Sequence, residues 1–156
     1  MYRSGIFLMA CGIALSGLSS ATAQADPAFV TLADLQWQHR VLVACDLSAS
    51  DASSDRLTPV YQVIEADADA RKLSALVITK SDARFGATPN EMSPLRENSR
   101  GDLIQRLDCQ HGAPIFAIIG LDGGVKQRWY GAAPTSQAVF DLIDAMPMRV
   151  RERRGD

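Results

Sequence analysis

Gly112-Ala113-Pro114-Ile115-Phe116-Ala117-Ile118-Ile119-Gly120-Leu121-Asp122-Gly123-Gly124-Val125-Lys126-Gln127-Arg128-Trp129-Tyr130-Gly131 is an apolar run, a tight-turn sequence and an alternating run, in that order. That order predicts a β-hairpin, because glycine supplies the positive φ that short hairpin turns require. The continuous apolar run suits a strand in the interior of a sheet. In the second run Lys126 and Arg128 alternate with Val125 and Gln127, which gives that strand a solvated face. Asp122 serves the turn itself, as short polar side chains commonly do. A proline stands directly before the first strand and a glycine ends the second.

Upstream, residues 40–45 and 75–79 are short, continuous and rich in β-branched residues, as expected of buried central strands. Between them, residues 46–55 are loop and cap residues. Thr58-Pro59 is a helix-opening pair, followed by a stripe of Val60, Val63 and Ile64 that Leu73 extends. Residues 80–98 carry Gly86, Pro89, Asn90, Pro94 and Asn98 without a period and are expected to be a long loop. A short helix fits 102–109, with Leu103, Ile104 and Leu107 on one face. Past the hairpin, Thr135 or Ser136 caps a final helix with Val139, Phe140, Leu142 and Ile143 as its stripe, and Pro147 stops it. The predicted order is β-α-β-α-β-β-α in one α/β domain, with helices on both faces of a small mixed sheet. Residues 41–45 and 115–120 are its adjacent antiparallel inner strands.

The N-terminus reads as a secretory signal peptide: Arg3, an apolar small-residue stretch over 6–18, then Ala23-Gln24-Ala25 before Asp26-Pro27. Cleavage after Ala25 leaves a domain at 26–149, a basic tail at 150–156, and a periplasmic or secreted protein. An uncleaved anchor and a lipoprotein signal at Leu8-Met9-Ala10-Cys11 are the competing readings. No transmembrane segment is expected after cleavage. Arg3 is the sole charge among residues 1–25, so the 16 basic residues become 15 against 18 acidic ones, a net of −3. That balance argues against a nucleic-acid partner, which needs a basic face. The basic cluster over 149–154 reads as solvated.

Trp37 with Arg40-Val41-Leu42-Val43, Ile118-Ile119-Gly120-Leu121-Asp122-Gly123-Gly124-Val125-Lys126, and Ile143-Asp144-Ala145-Met146-Pro147-Met148-Arg149 together resemble an exported bacterial family of unknown function. That family is similar to the domain repeated in vertebrate secreted proteins of the sushi-repeat-containing and down-regulated-by-oncogenes types. The resemblance spans nearly all of the mature chain. It implies a thioredoxin-like fold, no established activity, and no catalytic residue to carry over. In thioredoxin-like proteins a cis-proline beside the redox or ligand site holds the place of Pro114, so the resemblance puts a candidate site edge at Pro114, Asp46 and Ser48.

Dithiol chemistry needs Cys-x-x-Cys at a helix start, where the second thiol resolves the first. Here Cys45 is followed by Asp46-Leu47-Ser48, with no partner at that spacing. Export permits a disulfide between Cys45 and Cys109, and the topology brings the end of the first strand near the segment leading into the hairpin. Unrelated buried thiols, a thiol or peroxide redox pair built on Cys45 and Cys109, and a soft-metal cluster of Cys45, Cys109 and His111 suited to Cu(I) or Zn remain alternatives. Asp144 and Arg149, which flank Met146-Pro147-Met148, read as a salt bridge or a helix stop rather than as catalytic groups. The expectation is a non-catalytic binding or accessory module of the cell envelope without a cofactor, its partner an unidentified protein or small molecule. The runner-up is the thiol redox protein.

Overall fold

Every residue of β1 (Arg40–Asp46), β2 (Leu73–Thr79) and β5 (Ile115–Ile119) is buried. These apolar strands form the middle of the sheet in a computed structural model that describes residues 30–51, 55–86, 91–110 and 112–155. The expected signal peptide, its cleavage site and Cys11 lie outside the described residues. With β3 (Ala83–Gly86), β4 (Ser93–Pro94) and β6 (Val125–Tyr130), the sheet has the order β4-β3-β2-β1-β5-β6. β1 and β2 are parallel, and every other neighbouring pair is antiparallel. The register sets Val41 opposite Ile119 and Cys45 opposite Ile115, so 41–45 and 115–119 are adjacent antiparallel strands, as expected.

Alternation along the inner strands sorts side chains to two faces. Leu42, Ala44, Ala75, Val77, Phe116 and Ile118 pack with Val60, Val63 and Ile64 of α2 (Pro59–Asp67) and with Val139 and Ile143 of α4 (Ser136–Asp144). Val41, Val43, Cys45, Leu76, Ile78 and Ile119 pack on the other face with Leu103 and Leu107 of α3 (Glu97–Leu107) and with Leu35 of α1 (Leu32–Leu35). The result is a mixed six-stranded sheet between two helical layers.

Four readings are corrected. Residues 80–98 are not a plain loop: they carry β3, β4 and the start of α3. β3 has only four residues with mixed burial, too short for a readable period. Its Gly86 is needed for close approach, because a Cβ there would lie 2.4 Å from the Glu91 carbonyl oxygen. Leu73 opens β2 rather than extending the α2 stripe. Glu97 starts α3 five residues before the expected position, since its first turns carry polar residues and no apolar stripe. Pro147 ends α4 but also opens a further helix, α5 (Pro147–Arg154), in the favoured first-turn position. Residues 150–154 are therefore helical, and Glu152 is bonded to the fully buried Arg40 by Nη2···Oε1 at 3.2 Å and Nη1···Oε2 at 3.3 Å. The expected Asp144–Arg149 bridge is present, Oδ1 to Nε at 3.3 Å.

Candidate functional site

β1 delivers Cys45 and Asp46 to its carboxyl end, and β5 begins beside them at Ile115. Cys109, just past α3, is disulfide-bonded to Cys45, with the Cα atoms 6.2 Å apart, inside the span that a disulfide allows. Asp46 is fully buried. Its Oδ1 accepts from the Ser48 amide at 2.9 Å, and its Oδ2 lies 3.1 Å from Arg56 Nη1. Arg56 Nη2 then donates to the Gly112 carbonyl at 2.9 Å, while Ser48 Oγ accepts from the Gly112 amide at 2.9 Å. Pro114 is buried next in line, and its carbonyl accepts from the Gly131 amide at 2.8 Å. The structure thus brings Cys45, Asp46, Ser48, Cys109 and Pro114 to one sheet edge.

The chemistry available there is narrow. Cys45 is 1 % exposed and Cys109 is half-buried. As a disulfide, the pair offers no thiolate to a metal or a peroxide. His111, the third member of the conceivable metal cluster, lies outside the described residues. The peptide bond before Pro114 is trans, not cis as the resemblance implied. Closing a loop of 64 residues by a disulfide stabilises the fold by about 4 kcal/mol in the chain-entropy picture.

A second place, which the sequence reading missed, lies at the amino end of β1. Here a cleft of about 360 Å³ opens between α1, the turn after it, the end of α3 and the hairpin tip. Leu32, Leu35, Val41 and Ile119 give it apolar walls, and Gln36, His39, Arg106 and Asp122 supply polar groups. Its geometry is set by one backbone and one side-chain hydrogen bond: the Trp37 amide donates to the Leu121 carbonyl at 2.7 Å, and Gln36 Nε2 to the Asp122 carbonyl at 3.1 Å. Arg106 Nη2 donates to the Gly123 carbonyl. Trp37 is held in the left-handed region at φ 68° and is 60 % exposed, a costly arrangement for a bulky residue.

His39 is half-buried, and burial, helped by the Lys72 charge, lowers its pKa below the ordinary histidine value. It is therefore neutral at pH 7, with Nδ1 3.1 Å from Ser74 Oγ. Asp122 is held below the usual carboxylate range by the hydrogen bond from Lys126, 2.5 Å away, and by the Gly124 amide. The only sequence signal for this cleft was Asp122-Gly123-Gly124 itself. Its other wall comes from residues 32–36, ahead of the first predicted strand.

Residues 31–152 match the family described as a domain of unknown function (DUF4174), and the chain belongs to that family. No curated protein and no solved structure matches it.

Proposed function

Membership of a family of unknown function assigns no activity, and we propose from the chain's own chemistry that it is a non-catalytic binding or accessory module of the cell envelope. In this reading it is exported to the periplasm or secreted, its fold is thioredoxin-like, and its disulfide is structural. The observation that carries the reading is the engagement of the groups at the carboxyl end of β1: Cys45 with Cys109, Asp46 with Arg56, and Ser48 with Gly112. Groups committed to holding three segments together are not poised to react. The neighbouring β1, β2, β5 and β6, with helices on both faces, support the thioredoxin-like assignment. Among the described residues no helix is long and apolar enough to cross a membrane.

The second reading, a thiol redox protein, is favoured by one observation: Cys109 is half-buried, so its sulfur is the more approachable end of the bond. An external thiolate would attack Cys109 Sγ, form a mixed disulfide and release Cys45 as the thiolate. Assay of disulfide reduction on insulin separates the two. The expected result is no turnover and no free thiol at Cys45 or Cys109 in folded, unreduced protein; turnover abolished by Cys45→Ser would establish the redox protein instead. Intact mass of the periplasmic fraction, expected to begin at Asp26, tests export.

A further inference from the structure

The groups around the amino-end cleft are less fully committed than those at the disulfide. Arg106 is tied to the Gly123 carbonyl by one nitrogen, and no carboxylate of the described residues lies within ion-pair distance of it. The one acid on the cleft, Asp122, is already neutralised by Lys126. His39 uses one ring nitrogen on Ser74, and no described residue bonds the other. The cleft therefore presents a net single positive charge, a neutral imidazole and the amide of Gln36 above an apolar floor of Leu35, Val41 and Ile119. We propose that this cleft is a binding site for a small monocarboxylic acid with an apolar body. The inference rests on the binding-module reading and names its ligand class and its place.

The charge count selects the head group. A planar guanidinium with donors to spare matches one carboxylate, which it can hold by two parallel hydrogen bonds. A dianion would find one uncompensated cation, Arg106, and an ammonium would meet that same charge with only the already paired Asp122 as a counter-charge. The lining selects the tail: Leu32, partly exposed at the cleft, and the buried Leu35, Val41 and Ile119 behind it offer an apolar body contacts that a wholly polar ligand would leave unused. A volume of about 360 Å³ is within the range of small-molecule sites. The bonds from Trp37 to Leu121 and from Gln36 to Asp122 fix both walls beforehand, so binding orders little of the protein. The left-handed backbone at Trp37 is where such a clamp stores its strain.

Titration of the folded, oxidised protein with hexanoate, followed by amide chemical shifts and by the fluorescence of exposed Trp37, tests the proposal, with 1-hexanol and hexylamine as controls for charge. The expected result is saturable shifts confined to residues 32–41, 119–124 and the end of α3 around Arg106, weaker binding of 1-hexanol and none of hexylamine. Arg106→Gln is expected to weaken hexanoate about tenfold or more, the worth of a charge-assisted hydrogen bond, and Arg106→Lys to restore part of it. Ala33→Phe, at an exposed position lining the cleft, is expected to obstruct binding with the charge intact. No saturable shift with hexanoate, shifts centred on the disulfide end, or equal binding to Arg106→Gln would overturn the site. Insulin turnover with hexanoate still seated in the cleft would remove the non-catalytic reading and keep the site. Absence of both would remove the site and keep the reading.

Discussion

At the carboxyl end of β1 a covalent bond, an ion pair from buried Asp46 to exposed Arg56 and two hydrogen bonds to Gly112 draw three segments together, whereas at its amino end Arg106 and His39 stand around a cleft with bonding capacity unused. The two ends belong to the same seven-residue strand. What differs is closure. The amino end is itself closed on the sheet's other face, where α5 caps Arg40 through Glu152 and pairs Arg149 with Asp144, which also bonds Arg71. The comparison separates polar groups that hold the fold from polar groups that the fold leaves available. It also shows that the positions most readily picked out in the sequence, the cysteines and the proline, fall in the first set.

The contrast can be broken most directly at the disulfide. Replacing Cys45 and Cys109 by alanine together is expected to cost about 4 kcal/mol, read as a lowered urea midpoint. Hexanoate shifts at the far end should persist in the fraction that stays folded. If the double variant kept wild-type stability, the carboxyl end would not be a clamp and the comparison would collapse.

Next in size is Glu152→Gln. It leaves the fully buried Arg40 guanidinium with the Arg71 carbonyl, 2.8 Å away, as its strong acceptor. The expected cost is about 3 kcal/mol, the lower end for a broken buried pair because the Glu152 side chain keeps 24 % of its exposure. Acid should act on the same network. The Arg71 hydrogen bond, with that of Arg149, lowers the Asp144 pKa; at Glu152 burial opposes ionisation, but the Arg40 hydrogen bond and charge outweigh it. Both folded-state values lie below the unfolded ones, so the stability they lend is complete above the ordinary carboxylate range and is lost as pH falls through the folded-state values. Urea midpoints measured from pH 7 downward should fall over that window, and Glu152→Gln should flatten part of the slope. An unchanged slope would show that α5 is not held by these charges.

Gly123→Ala is the smallest expected effect and sharpens the description of the hairpin tip. Gly123 sits at φ +75°, where an added Cβ is strained, so a loss of about 1 kcal/mol in thermal unfolding is expected. Because its carbonyl anchors Arg106, hexanoate affinity should fall as well. A stable variant with unaltered binding would detach the hairpin tip from the cleft.

The hairpin, the three buried strands and the helices that cover them are legible in residues 40–79 and 102–143, because each buries a continuous run or a clear stripe. β3 and β4 are not legible. β3 has four residues and pairs along β2, and β4 is a two-residue edge strand along β3, so each depends on the side its neighbour offers rather than on its own pattern. The helix α5 is equally hidden: Pro147-Met148-Arg149-Val150-Arg151-Glu152 looks like a basic tail until Arg40 is known to be buried with Glu152 as its counter-charge among the described residues.

The sequence alone determined the class of fold and the neighbourhood of Cys45, Cys109 and Pro114, because local hydrophobic pattern decides which segments are buried and topology then brings their ends together. Only the tertiary structure decided which polar groups are consumed and which are left over. That depends on partners distant along the chain: Glu152 lies 112 residues from Arg40 and Gly112 lies 56 from Arg56, while Asp122, 86 from Gln36, helps define the open cleft. No local pattern encodes such pairings, since a lone arginine in a polar stretch reads the same whether it ends in an ion pair or beside an open cleft.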